Sequence, residues 1–98
     1  MKLLVVSLRA STETEDIVDY YEDKRPGLGT EFTSHLKKAF LAIRRTPDAF
    51  AYNAATETHL YSMKRFPFNI HYLQDADSIY VVAIAHQRRK PGYWRKPV

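Results

Sequence analysis

The feature that most restricts this chain is the order in which its hydrophobic period changes. Between Leu28 and Arg45, Phe32, Leu36, Ala39, Phe40 and Ile43 follow one another at helical spacings, which gives an amphipathic helix with one apolar stripe. Phe68, Ile70 and Tyr72 instead alternate with Asn69 and His71, the pattern of a strand with one covered face. K-L-L-V-V-S-L at the start carries apolar residues at both parities, so a first strand is expected to be covered on both sides or to lie centrally. Thr12 and Glu15 then form a T-x-x-E capping box. Glu13, Glu15 and Asp16 fall in the first turn, where the helix dipole favours them. Ile17, Tyr20 and Tyr21 make the apolar stripe of that first helix, and Pro26-Gly27 ends it. Arg44 and Arg45 suit the end of the second helix, and Pro47 stops it.

The short link between the two helices predicts an antiparallel hairpin. Residues 47–57 show no period and read as a loop. Strands follow over 58–65 and 68–73, and Asp75-Ala76-Asp77 turns the chain into S-I-Y-V-V-A-I-A-H. The order βααβββ predicts an α+β fold: a helical hairpin on a mostly antiparallel four-stranded sheet. Tyr20, Tyr21, Phe32 and Phe40 are expected between the two layers. Ninety-eight residues suit one domain, spanning 1–98, with one modest core.

Charge separates along the chain. Glu13, Glu15, Asp16, Asp19, Glu22 and Asp23 are six of the eleven acids, and no acid follows Asp77. From His86 onward there are five Lys or Arg, interleaved with Tyr93 and Trp94. A basic end of this kind points to a polyanion or an acidic protein partner. The apolar runs Leu3–Val6 and Ile79–Ala85 fall far short of the ~20 residues of a spanning helix, so no membrane association is expected. The first residues lack the length and cleavage site of a signal peptide. With no cysteine, neither a disulfide nor a thiolate nucleophile is available, which fits a cytoplasmic protein. The four histidines are scattered without ligand spacing, and the three glycines form no phosphate-cradling loop. No metal and no cofactor are expected.

Several blocks stand in a familiar order: D-I-V-D-Y-Y (16–21), P-G-L-G-T-E-F (26–32), I-R-R-T-P (43–47), R-F-P-F-N-I-H-Y (65–72) and I-Y-V-V-A-I-A-H-Q-R-R-K-P-G-Y-W (79–94). In this order the chain resembles the RelE/ParE superfamily of type II toxin–antitoxin toxins over essentially its whole length. The resemblance implies a growth-arresting protein silenced by a cognate antitoxin in a hetero-oligomer. RelE-like members cleave messenger RNA on the ribosome without metal, whereas ParE-like members poison DNA gyrase.

Cleavage through a 2′-hydroxyl needs a base, an acid and cations on the phosphate. His86 can serve as acid or base, Arg forks can hold phosphate oxygens, and Tyr93 or Trp94 can stack on a base. By resemblance Arg65 stands before the aromatic-Pro-aromatic bend, Arg88 or Arg89 after the last strand, and Tyr93 near the C-terminus. The catalytic set of a RelE-like enzyme is therefore Arg65, His86, Arg88 and Tyr93. The wider partner or nucleic-acid surface is Lys64, Arg88, Arg89, Lys90, Tyr93, Trp94 and Arg95. The strand before the bend offers only Lys64 and His59 where RelE-like nucleases carry more, and Pro91-Gly92 alters the spacing to Tyr93. These departures favour the ParE-like reading. A metal-independent ribonuclease is the alternative, and a non-toxic binding module is a third.

Each residue also has a plainer reading. The cations after His86 can be a solvated chain end. Arg65 can pair with an acid of the neighbouring helix, and His86 can be structural. His71 alternates toward the polar face and is expected exposed, and Tyr93 and Trp94 can fold back as an apolar lid.

Overall fold

The computed structural model describes residues 1–90 and 92–95. The elements in chain order are β1 (Leu3–Val6), α1 (Leu8–Lys24), α2 (Leu28–Arg45), β2 (Tyr52–Asn53), β3 (Thr58–Ser62), β4 (Phe68–Gln74) and β5 (Ser78–His86), with short 3₁₀ turns at Pro47–Ala49 and Tyr93–Arg95. The helical hairpin covers one face of a single sheet of order β1-β5-β4-β3-β2. Three of its pairings are antiparallel and β1–β5 is parallel.

The sheet therefore has five strands rather than four. The added strand, β2, pairs Tyr52 with His59 and Asn53 with Thr58, inside the segment expected to be loop. Two residues are too short to display a period. The place of β1 is also different. It forms an edge, and Leu3 and Val5 on its outer face remain 64% and 40% exposed. Apolar residues at both parities indicated a covered strand, yet only Leu4 and Val6 pack on the core.

The first helix starts earlier than its capping box suggested. Ser7, not Thr12, is the N-cap: its Oγ accepts from the Ala10 N–H at 3.0 Å and donates to the Val82 carbonyl at 2.9 Å. A cap that also bonds the sheet outcompetes a purely local one. The second helix has no capping side chain of its own. Glu22 supplies one from α1, accepting from Gly27 N–H at 2.9 Å and Gly29 N–H at 3.1 Å.

Ala10, Ile17, Phe32, Leu36, Ala39 and Ile43 of the hairpin bury against Ile70, Tyr72, Ile79, Val81 and Ile84 of the sheet. Tyr21, Phe32, Phe66 and Phe68 form an aromatic cluster with centroids 5.0 to 6.3 Å apart. Phe40 packs on the core from its margin, but Tyr20 is 56% exposed and stands outside it. A bulge opposite His71 and Tyr72 leaves Val82 as the extra residue of β5. The bulge lets Ile79 and Val81 share the helix-facing side with Ile84, which strict alternation forbids.

Candidate partner and nucleic-acid interface at one end of the sheet

The chain brings its cations together through two bends. The link from β3 to β4 carries Lys64 and Arg65. Gln87, just past β5, donates its backbone N–H to the Pro67 carbonyl at 2.9 Å and its side-chain amide to the Met63 carbonyl at 3.2 Å. His86, Arg88, Arg89 and Lys90 therefore lie at the same end of the sheet as Lys64 and Arg65.

Arg65 follows its plainer reading: its guanidinium pairs with Glu31 of α2 at 2.8 Å and lies 4.9 Å from the ring centre of Phe66. Beside it, Lys64, His35 and Lys38 rim a groove of about 300 Å³ floored by Ala39, Tyr61 and Met63. An apolar floor with a cationic rim is suited to an acidic amphipathic segment.

The tail beyond β5 crosses the outer face of the sheet. His86 is exposed, its ring 5.4 Å from that of Phe68, and its Nδ1 accepts from the Arg88 N–H at 3.1 Å. In the neutral ring the proton then sits on Nε2. Tyr93 donates its hydroxyl to one oxygen of Glu13, whose other oxygen accepts from the Ile84 N–H at 2.9 Å. Burial, and then the bond to Glu13, push the Tyr93 phenol well above its ordinary range. The Arg89 guanidinium lies 3.4 Å from the Tyr93 ring centre, and that of Arg9 lies 5.8 Å from it.

Trp94 lies across His71, ring centres 4.4 Å apart. His71 is buried at 5% exposure instead of standing in solvent. Alternation correctly turned it away from the helices, but it could not show that the tail returns over that face. Its Nδ1 meets Thr58 Oγ1 at 3.1 Å, and Thr58 meets Thr56 Oγ1 at 2.8 Å. Burial lowers its pKa to about 4, so the ring is neutral near pH 7. Arg95 completes the strap, donating to Glu57 at 2.7 Å and to the Ala55 carbonyl at 2.8 Å.

Tyr93 and Trp94 thus act as a lid, and Arg95 anchors its end. Of the residues named as catalytic, His86 and Arg88 remain exposed, Arg65 is paired, and Tyr93 has its hydroxyl bound. Arg9, Glu13, His35 and Lys38 complete the two clusters and carried no local signal: each is an unremarkable polar helix residue until the sheet is placed beside it. Among the described residues no group of three or more His, Asp or Glu is arranged to hold a metal ion. No described helix is long and apolar enough to cross a membrane.

Comparison with curated protein sequences returns no match. Among solved structures the chain is similar to one described as the chromosomal ParDE TA system from P. aeruginosa, with a TM-score of 0.77 and 15% identity, over 88% of this chain and 96% of that one. That likeness shows the fold. The family model described as the ParE toxin of the type II toxin–antitoxin system, parDE, matches residues 4–91, nearly the whole chain. The chain belongs to the ParE toxin family and is the toxin of a type II toxin–antitoxin pair.

Proposed function

We propose that the free toxin arrests growth through DNA gyrase, and that its antitoxin silences it by occupying the groove beside Arg65. The observation that carries the non-hydrolytic reading is the state of Arg65 and Tyr93. One is held by Glu31 and the other by Glu13. A ribonuclease needs such groups free to meet the phosphate and to exchange a proton near neutral pH. Membership of the ParE family supports the same choice over a RelE-like ribosome-dependent nuclease. Both candidate targets, gyrase and translating ribosomes with their messenger, place the site of action in the cytoplasm.

For the antitoxin, the rim of His35, Lys38 and Lys64 over Ala39, Tyr61 and Met63 matches an acidic, amphipathic segment. A hetero-oligomer follows, with the groove covered in the silent complex.

Inducing the chain alone in a bacterial host tests the target. Growth arrest with protein-linked breaks in DNA and intact transcripts is the expected result. Codon-phased cuts in messenger RNA, lost in Arg88→Ala or Tyr93→Ala, would overturn it and make the tail catalytic.

A further inference from the structure

The first strand carries apolar residues at both parities, the pattern of a strand covered on both sides, yet it forms an edge of the sheet. Native edges are blunted by brevity, charge, proline or a bulge. The opposite edge obeys this rule, because β2 has only two residues. Leu3-Leu4-Val5-Val6 has no charge and no proline, and its register with β5 runs without a bulge. The N–H groups of Leu3 and Ser7 donate to the Asp77 and Val81 carbonyls at 3.1 and 3.0 Å. By alternation the N–H and C=O of Leu4 and Val6 face the open edge. The Lys2 carbonyl faces the same way but accepts from Arg44 Nε at 3.1 Å, so the usable edge runs from Leu4 to Val6.

We propose that this edge pairs with β1 of a second copy of the chain, antiparallel about a two-fold axis at Val5. Only this register uses both outward residues. Leu4 of one copy meets Val6 of the other, and each such pair exchanges two backbone hydrogen bonds. Val5 then faces its own equivalent. On the outer face Val5 stands beside Tyr80 and Tyr80 beside Leu73, all three exposed. The pairing joins the two rows into one apolar ridge across both copies. On the helix side Leu4 borders a groove of about 400 Å³ with Phe40 and Leu41.

An added strand therefore meets apolar surface on both of its faces. This selects the occupant. An amphipathic strand would set its polar residues against one of those surfaces, whereas β1 is itself apolar at both parities. In the dimer β1 becomes central, as its sequence pattern requires. Lys37 and Arg44 line the same groove, and the axis brings the two sets of cations toward each other. The contact should therefore tighten as salt screens them. With so short a strand the interface falls at the small end of specific contacts, and a Kd of about 10–100 μM is expected. The pairing does not depend on the choice of gyrase as target.

Sedimentation equilibrium of the purified chain tests it, from about 5 to 500 μM protein and at about 50 and 500 mM salt. A monomer–dimer equilibrium that tightens with salt is expected. Val5→Lys sets two cations against each other at the axis and should weaken association about tenfold or more. Tyr52→Lys adds the same charge at the opposite edge, where Tyr52 is exposed, and should change it less than about twofold. Amide exchange of the unaltered chain needs no variant. Leu4 and Val6 should gain protection as concentration rises, and Leu3 and Val5 should not. Four results would overturn the assignment: a monomer throughout, an equal loss in Tyr52→Lys, association that salt weakens, as contact between the acidic α1 and the basic tail would be, or protection of Leu4 and Val6 only when the cognate antitoxin is added. Circular dichroism checks that each variant is folded.

Discussion

Glu13 is where helix, sheet edge and tail meet, so Glu13→Ala is the most informative perturbation. Because β1 stops at Val6 and its last pairing is with Val81, the β1-facing edge of β5 beyond that point lacks a strand partner. One of its donors, the Ile84 N–H, is satisfied by Glu13. Ile84 is only 2% exposed, so water cannot readily replace the carboxylate. An unsatisfied buried donor costs about 1–3 kcal/mol, and losing the Tyr93 hydroxyl bond adds about 1. The expected loss is about 2–4 kcal/mol, or roughly 10–20 °C in Tm for a domain of this size.

Glu13→Gln keeps a carbonyl for the Ile84 N–H and should cost about 1 kcal/mol. Tyr93→Phe removes only the hydroxyl and should cost a similar amount. Urea unfolding of the single variants and of Glu13→Ala/Tyr93→Phe gives the coupling energy directly. Amide exchange at Ile84 reports the strand edge alone, and it should accelerate in Glu13→Ala but not in Tyr93→Phe. If Glu13→Ala lies within about 0.5 kcal/mol of the parent, as ordinary surface changes do, the carboxylate does not hold the strand edge and the reasoning fails.

Two further outcomes follow from the packing. His71 has a folded pKa of about 4, below the 6.5 of an unfolded histidine, so between these values the unfolded chain binds a proton that the native ring refuses. Its contribution is whole above about pH 6.5, declines by no more than about 1.4 kcal/mol per pH unit as pH falls toward 4, and changes no further below that. Stability curves should lose this slope in His71→Gln, and an identical slope in the variant would show that other groups set the acid limb. Gly29→Ala should destabilise, although alanine favours a helix by about 1 kcal/mol. An added Cβ would stand 2.9 Å from the backbone oxygen of Val18 and 3.0 Å from Glu22 Oε1, and overpacking of this kind costs about 1–3 kcal/mol. A rise in Tm would mean that the two helices separate more easily than their contact suggests.

The chain's local rules determined the elements. The stripe from Phe32 to Ile43 could bury only as a helix, and Phe68, Ile70 and Tyr72 only as a strand. The order of those elements restricted the fold to a hairpin on a sheet. Interleaved Arg, Lys and aromatic residues after β5 marked a candidate interface before any geometry was known, because charge segregation is visible in one dimension.

Which of these residues are free, and where the edges fall, was decided by tertiary structure. Apolar residues at both parities could not tell an edge from a centre, so β1 looked central and lies at the margin. A two-residue strand such as β2 has no period of its own and exists only because β3 is beside it. His71 was turned to the outer face by alternation but buried by Trp94, which stands 23 positions later. Arg65 and Tyr93 fit a catalytic list equally well until Glu31 and Glu13 were placed against them. Hydrogen bonds and ion pairs act over about 3 Å in space, and separation along the chain does not reveal which groups will come that close.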